Sequence, residues 1–446
     1  MRRFVQTRLL ETGTLNLRTA LVLSERAFST LGKGKKVSYK ERLRNGVVDI
    51  KKDDAVELFQ SMIVSRPLPT IIHFSRLFSS LAKTRQYELV LSLSKQMELQ
   101  GIAHNNYTLN IMINCFSRRR KLGFAFSAMA KMLKLGYEPD TVTFSTLVNG
   151  ALIDIFVKEG KHVEAKELYN EMIARGIDPD TVTYNSLIYG LCMEKRLDEA
   201  NQMMDVMVSK GCSPDSVTYN IIINGYCKAK RVEDGLKLFR KMSLREVVSY
   251  NTLVQGFCLS RKIEVAQELF QEMVSRGVDP DTVTYNILVD GLCENGKLEK
   301  ALEIFEDLHK SEVELDIGIF NIIIHGMCNG SMIDKAWELF SSLAHKGVKA
   351  DVKTYTIMIG GLCKKGSLSE ADMLLRKMEE DGIAPNGCTY NTLIRAHLGG
   401  SGVATSVKLI EEMKRFGFAA DASTMKMVID MLSDGRLNKN FLGMLS

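Results

Sequence analysis

No uninterrupted apolar run in this 446-residue sequence is long enough to span a bilayer, although hydrophobic residues make up 45% of it. Charged residues make up 25%, which is normal for a soluble folded protein. We therefore expect a soluble protein that does not enter a membrane. The length allows roughly two to four ordinary domains, or one long array.

The sequence also lacks the short motifs that indicate catalysis or a bound metal. Its nine cysteines include no C-x-x-C pair, and its seven histidines form no H-E-x-x-H. Neither a G-x-x-x-x-G-K-[ST] loop nor a G-x-S-x-G turn occurs. The stretch "HVE" at 162–164 matches only the first half of a zinc-deaminase signature. These absences predict a protein that is not an enzyme and has no metal or cofactor.

Excess charge is confined to the N-terminus. Residues 1–35 carry seven Lys or Arg and two Glu, a net of +5, so the other 411 residues contribute about +1 of the total of +6. Residues 1–30 are rich in Arg, poor in acids and amphipathic, which is typical of a mitochondrial transit peptide. A disordered basic tail is the alternative for this segment, and a chloroplast destination is the alternative location.

The most informative feature is a stretch that recurs. "GIDPDTVTYNSL" at 176–187 returns as "GVDPDTVTYNIL" at 277–288. Aligned copies are spaced by 35 residues, except for one interval of 40 and one of 31. Their last aligned residues are Lys40, Ser75, Asn110, Ser145, Asn185, Asn220, Asn251, Asn286, Asn321, Thr356 and Asn391. A fixed period of this length predicts a repeat architecture.

Each unit has the pattern of a helical hairpin. In residues 181–215, Thr183 is predicted to be the N-cap of a first helix, and a second helix is predicted to end before Gly211 and Pro214. Two such short helices cannot bury their apolar faces alone, so stacked units predict an all-α solenoid. Six cysteines recur seven residues after the aligned residue, which predicts buried packing thiols.

The unit, with "VTYNxLIxGLC" at its start and "GxxPD" at its end, resembles the pentatricopeptide repeat. The resemblance covers residues 36–446, with eleven repeats and a partial one from 422. The texture of "KLGYEPDTVTFSTLVNG" and "INCFSRRRKLGFAFSAM" is similar to the restorer-of-fertility-like group of plant organelle proteins with P-type arrays. The resemblance implies a right-handed superhelical α-solenoid that binds single-stranded RNA.

In that family each repeat recognises one base through two side chains. Here these positions are the aligned residue and the last residue before the next unit. In chain order, the pairs and the bases that the resemblance assigns to them are Ser75–Asn105 (A), Asn110–Asp140 (U), Ser145–Asp180 (G), Asn185–Asp215 (U), Asn220–Glu246 (a pyrimidine), Asn251–Asp281 (U), Asn286–Asp316 (U), Asn321–Asp351 (U), Thr356–Asn386 (A) and Asn391–Asp421 (U). A parallel arrangement gives the site 5′-A-U-G-U-Y-U-U-U-A-U-3′.

The chemistry of the second position can be argued from the residues themselves. A carboxylate only accepts hydrogen bonds, which suits U and G, whereas an amide also donates, which suits A and C. Helix capping is the alternative role for Asp and Asn at these places. Capping does not explain why Asn stands within the first turn of so many helices, flanked by an apolar residue. The family places such a side chain against the base, here Val182, Val217, Val248 and Val283. Tyr107, Gly318, Lys353 and Cys388 replace this valine in other units.

One unit, near 141–180, has five extra residues. "TLVNG" and "ALIDI" both fit the same five positions of its first helix, so we interpret the unit as a junction left by internal deletion from a longer array. The interpretation predicts a lengthened or kinked first helix there.

The sequence thus predicts an RNA-binding protein of mitochondrial transcripts, acting on their ends, stability or translation. We expect a monomer that blocks access to RNA or recruits a nuclease. A protein-interaction scaffold is the alternative, as in tetratricopeptide solenoids, although the W-x-x-L-G-x-x-Y signature is missing and Trp337 is isolated. The cytidine-deaminase-like extension of editing relatives is not recognisable in the sequence.

Overall fold

The computed structural model describes residues 51–153, 162–310, 315–400, 402–437 and 441. Over these residues the chain forms α-helices, one short 3-10 helix and no strand, which confirms the predicted all-α repeat fold. The proposed transit peptide and the worn copy at Lys40 lie outside the described residues. Two units, 1–225 and 226–446, are considered in turn.

The first unit contains pairs of helices at the predicted period. In chain order they are α1 (Lys52–Val64), α2 (Ile71–Lys83), α3 (Tyr87–Leu99), α4 (Asn106–Arg118), α5 (Leu122–Lys134), α6 (Thr141–Ile153), α7 (His162–Ala174), α8 (Thr181–Met193) and α9 (Leu197–Ser209), followed by α10 (Ser216–Lys228) at the division. Even-numbered helices open a repeat and odd-numbered helices close it. From α2 to α6, each opening helix packs against its own closing helix and against the next opening helix, and α8 packs against α9.

The second unit continues the same alternation. Its helices are α11 (Val232–Arg240), α12 (Val247–Leu259), α13 (Ile263–Ser275), α14 (Thr282–Glu294), α15 (Leu298–Lys310), α16 (Ile317–Asn329), α17 (Ile333–Ser342), α18 (Val352–Lys365), α19 (Leu368–Glu380), α20 (Gly387–Gly399), α21 (Val403–Arg415) and α22 (Ala422–Ser433), with a 3-10 turn at Ala344–Lys346. The opening helices from α12 to α22 pack in succession.

The opening helices begin one turn earlier than the cap that the sequence predicted. Asp180 is the N-cap of α8, with extended backbone at ψ 176°, and its Oδ1 accepts from the backbone N–H of Thr183 at 2.8 Å. The prediction of Thr183 as the cap was therefore wrong. The hydroxyl of Thr183 instead donates to the Asp180 carboxylate at 2.7 Å. The N-cap accepts the first orphan donor of the helix, and a short anionic side chain does this well.

Successive opening helices approach closely where a glycine meets a cysteine. A Cβ added to Gly256 would lie 2.4 Å from the sulfur of Cys227, and one added to Gly361 would lie 2.5 Å from that of Cys328. The same contact recurs at Gly225 with Cys192, Gly291 with Cys258 and Gly326 with Cys293. Burial raises the pKa of the Cys227 thiol to about 12. These cysteines are thus packing groups, as predicted, although Cys227 and Cys293 are only half-buried. Cys388, outside the series, is exposed, so the prediction of a buried thiol is wrong there.

Aromatic rings join several of the closing helices to the next opening helix. Phe239 of α11 meets Tyr250 of α12 edge to face, with ring centroids 4.9 Å apart. Phe340 and Tyr355 repeat this contact at 5.2 Å. Edge-to-face rings at this separation add to the free energy gained from burying their area. The core therefore consists of layers that each involve neighbouring repeats only.

The interval of 31 residues comes from a shortened closing helix. α11 has nine residues, whereas most closing helices have thirteen. Arg245 satisfies its exposed end: Nε donates to the carbonyl of Phe239 at 3.2 Å and Nη2 to that of Arg240 at 2.9 Å. The guanidinium replaces bonds that another helical turn would have made.

The interval of 40 residues falls between α6 and α7. Each of these helices is described over thirteen residues. Residues 154–161, between these helices in the sequence, lie outside the described residues. The predicted lengthening or kink of the first helix therefore stays a prediction.

Candidate nucleic-acid interface

Three positions at the start of every opening helix form the candidate interface. The base-recognition pair consists of the fifth residue of one opening helix and the N-cap of the next. The flank is the second residue of an opening helix, three residues before the fifth. Residues three apart on a helix share a face. In each repeat the flank therefore lies on the same helix face as the first residue of the pair.

In four repeats the asparagine amide donates a hydrogen bond to the N-cap aspartate of the next repeat. Nδ2 and Oδ1 lie 3.3 Å apart in Asn110–Asp140, Asn185–Asp215, Asn251–Asp281 and Asn321–Asp351. The same Oδ1 also accepts from the backbone N–H of the third helical residue, at 2.7–2.9 Å. One carboxylate oxygen thus caps a helix and joins two repeats. The structure brings these predicted residues together.

The second carboxylate oxygen is available in three of these pairs. Within the described part of the chain, Oδ2 of Asp215, Asp281 and Asp351 has no hydrogen-bond partner, and all three residues are exposed. Beside two of them, the side-chain amide oxygens (Oδ1) of Asn251 and Asn321 are buried and also have no partner among the described residues. Such buried acceptors are uncommon in native proteins. The pairs therefore offer acceptors rather than donors.

Electrostatics keep these carboxylates charged. Burial acts to raise their pKa, but hydrogen bonds to the charged form outweigh it, and the pKa of Asp140, Asp215, Asp281 and Asp351 is lowered. The donors are the backbone N–H and hydroxyl of the third helical residue and the paired asparagine amide. An anionic acceptor at neutral pH suits a ligand that carries an N–H.

Pairs with a hydroxyl at the first position are arranged differently. Ser145 donates to Asp180 Oδ1 at 3.0 Å and to its own helix at Thr141. The hydroxyls of Ser75 and Thr356 bond to backbone carbonyls of their own helices. Their predicted partners, Asn105 and Asn386, cap the following helices. The two residues of each pair lie at the predicted places, but only the Ser145 pair is joined by a direct bond.

Two further pairs depart from the common geometry. Asn286 and Asp316 make no hydrogen bond to each other in the described structure, and Gly318 lies close to both. Glu246 occupies the N-cap of α12 without a side-chain capping bond. Asn220 belongs to the other unit and has a buried carbonyl oxygen without a partner among the described residues.

The last pair is held by an arginine that the sequence interpretation missed. Asp421 caps α22 and accepts from Arg395 Nη1 at 2.9 and 2.8 Å. Asn391 donates to the carbonyls of Gly387 and Ala419, and its own oxygen accepts from the Asp421 backbone N–H. Arg395 stands four residues after Asn391, on the same helix face, and this spacing is the signal that could have identified it.

The flanks form a recurring set of exposed apolar side chains. Val182, Val217, Val248 and Val283 are 53–59% exposed, although valine is usually buried. Val142 and Ile72 occupy the same position and are equally exposed, as is Tyr107. Val142 and Ile72 were not predicted as flanks from the sequence, although the same offset from the aligned residue identifies them.

Within the described ranges, no group of three or more His, Cys, Asp or Glu is placed to hold a metal ion. None of the helices in those ranges combines the length and the apolar character that crossing a bilayer requires.

Comparison with known proteins identifies the repeats. The PPR repeat family matches residues 108–151, 151–193, 179–228, 214–247, 245–294, 280–318, 315–364 and 358–399, and a PPR repeat matches 388–418. The crystal structure of the pentatricopeptide repeat protein PPR10 in complex with an 18-nucleotide psaJ RNA element has the same fold. Its TM-score is 0.71 at 24% identity, over 96% of this chain and 61% of that one.

Proteins of Arabidopsis thaliana share parts of the sequence. One pentatricopeptide repeat-containing protein is 68% identical over 142 residues, which is 31% of this chain and 22% of its own length. Two named as mitochondrial are 54% identical over 163 residues and 64% identical over 145 residues. The match spans 22–27% of the length of these three relatives. The chain belongs to the PPR repeat family, the pentatricopeptide repeat proteins.

Proposed function

We propose that this protein binds single-stranded RNA, with one base recognised by each repeat. The observation that carries the proposal is the row of exposed valines beside the pairs. Helix capping accounts for the aspartates, but a cap gives no reason to expose a branched apolar side chain at the second residue of successive helices. Packing against a base does give such a reason, because every base has a π-face that an apolar side chain can contact.

The polar pairs supply selectivity in this proposal. The free Oδ2 of Asp281 or Asp351 accepts from the N–H on the Watson–Crick edge of U, whereas C presents an acceptor at that atom. An unpaired acceptor facing a carboxylate is costly, so C is rejected. The resulting site is 5′-A-U-G-U-Y-U-U-U-A-U-3′.

The cellular role proposed is action on mitochondrial transcripts, through their end processing, stability or translation. Support comes from the Arg-rich segment 1–30, proposed as a transit peptide, and from relatives named as mitochondrial. The array is proposed to extend over 36–446, within the restorer-of-fertility-like group. It acts as a steric block or recruits a nuclease.

The test is binding of the full chain to two RNAs at one fixed salt concentration, because phosphate contacts depend on salt. One RNA is 5′-AUGUUUUUAU-3′, and the other carries C at positions 6, 7 and 8. We expect the U-rich RNA to bind at least roughly tenfold more tightly, since each good base contact is worth about 1–3 kcal/mol.

A triple variant gives the decisive comparison. Asp281→Asn, Asp316→Asn and Asp351→Asn together are expected to reverse the preference, and asparagine still caps the helices. Asp307→Asn, on an exposed carboxylate outside the pairs, is the control and should change nothing. Equal weak binding to both RNAs, or an unchanged preference in the triple variant, would contradict the proposal and favour a protein partner.

A further inference from the structure

Arg395 distinguishes the last pair from the four bonded asparagine–aspartate pairs. Its Nη1 lies 2.9 Å from Oδ1 and 2.8 Å from Oδ2 of Asp421, and 3.0 Å from the hydroxyl of Thr424. Oδ1 additionally accepts the capping bond from the Thr424 backbone N–H at 2.7 Å. Both oxygens of Asp421 are thus engaged within the protein, whereas Oδ2 of Asp281 is open.

The asparagine of this pair is withdrawn as well. The Nδ2 of Asn391 donates to the carbonyls of Gly387 at 2.7 Å and Ala419 at 3.2 Å. Its Oδ1 accepts from the backbone N–H of Asp421 at 3.0 Å. Every polar atom of the Asn391 side chain therefore has a partner inside the protein. A base would have to break these bonds to reach the amide.

The difference follows from one helix position, four residues after the first residue of the pair. In the Asn251–Asp281 repeat this position is Gln255, and the bond between the two pair residues is intact at 3.3 Å. In the other three bonded pairs it is Asn114, Tyr189 or His325. Among these pairs, only Asn391–Asp421 has an arginine there. A guanidinium is always charged and fits a carboxylate.

We propose that Arg395 removes the Asn391–Asp421 pair from base recognition, so the tenth nucleotide is accepted without discrimination between U and C. The inference rests on the proposed function and corrects its last base, because the aligned residues alone assign U. Specificity then ends at the ninth nucleotide. Arg395 acts by holding Asp421, while Asp421 continues to cap α22.

The first test compares the sixth and tenth nucleotides in the same full-length protein. RNAs that differ only by U or C at one of these positions compete for binding at fixed salt. We expect less than twofold preference at the tenth position and roughly fivefold or more for U at the sixth. Asp421→Asn should leave the tenth position unchanged, whereas Asp281→Asn should reverse the preference at the sixth.

Exchanging the controlling residue gives the second test. Arg395→Gln copies the Asn251–Asp281 repeat and is expected to create a preference for U at the tenth position. Gln255→Arg is expected to abolish the preference at the sixth. Arg395→Lys keeps a positive charge near Asp421 and should leave the tenth position indifferent. Thermal unfolding of each variant checks that the repeats remain folded.

The outcomes separate this inference from the proposed function. A clear U preference at the tenth position in the unaltered protein, removed by Asp421→Asn, would overturn the role of Arg395 and leave the function standing. No preference at either position, with Asp281→Asn silent, would overturn the function and the inference with it.

Discussion

A repeat with a valine flank and a repeat without one can share the same pair geometry. Asn251 has Val248 as its flank, and Asn321 has Gly318. Both asparagine amides nevertheless donate to the N-cap aspartate of the next repeat at 3.3 Å. The polar pair is therefore fixed by helix capping and by the stacking of repeats. The flank varies independently of the pair. It is an exposed valine in the five repeats from Val142 to Val283, and Gly318, Lys353 and Cys388 occupy the same position in the next three repeats. One scaffold thus carries two kinds of surface.

The largest expected effect comes from breaking the scaffold that both regions share. A Cβ at Gly361 would lie 2.5 Å from the Cys328 sulfur and 3.0 Å from its Cβ, so Gly361→Ala overpacks this contact. Overpacking typically costs about 1–3 kcal/mol, which urea unfolding should detect as a loss of unfolding free energy.

The neighbouring glycine is the control for that substitution. A Cβ at Gly360 would meet only Thr392, at an ordinary 3.7 Å. Gly360→Ala should therefore stabilise the protein by about 0.5–1 kcal/mol, because alanine loses less backbone entropy in a helix. If both substitutions stabilised the protein equally, the glycine–cysteine contact would not determine repeat packing. Cys328→Ala should rescue Gly361→Ala.

The next effect removes the flank from the valine region. Val248→Ala with Val283→Ala should weaken RNA binding roughly tenfold, since one methyl group of each valine buried on a base, at about 0.8 kcal/mol, gives about 1.6 kcal/mol in total. Stability should stay within about 0.5 kcal/mol because both valines are exposed. Val208→Ala with Val274→Ala, on exposed valines of closing helices, is the matched control and should not alter binding.

A smaller effect is expected from placing a valine at the flank of a repeat that lacks one. Cys388 is exposed at the flank position of α20, so Cys388→Val should strengthen RNA binding by roughly twofold to threefold through added apolar contact. Cys388→Ser, measured beside it by the same titration, should give no gain. A valine that left affinity unchanged would show that the flank position contributes little in this region.

The smallest effect is acid sensitivity of the caps. The pKa of Asp281 and Asp351 lies below the usual 3.8, so their contribution to stability is complete above that pH and is lost as pH falls through the lowered value. Asp281→Asn with Asp351→Asn should make the unfolding free energy fall less steeply as the pH drops below 3.8. Identical pH profiles for the two proteins would contradict this.

Much of the scaffold could be predicted from the sequence because repetition makes weak signals add. Eleven copies with one period locate the helix pairs, and the periodic cysteines indicate packing contacts. The cap was misplaced by three residues because Thr183 and Asp180 are both good capping residues, and only the backbone shows which one lies outside the helix.

The details of the candidate site depend on contacts between repeats, which alignment of single repeats does not reveal. That one oxygen of Asp281 serves the cap and Asn251, while the other stays open, follows from how neighbouring helices stack. Arg395 was missed because it belongs to neither aligned position, and only its distance to Asp421 shows what it does.

The most direct test is a scan of the ten-nucleotide RNA, in which each base is replaced in turn and the affinity of the full chain is measured. We expect strong discrimination at the fourth and sixth positions, opposite bonded pairs with exposed valines. We expect weaker discrimination from the seventh position onward and none at the tenth. A flat profile, or one whose maxima do not follow the repeat register, would contradict recognition of one base by each repeat.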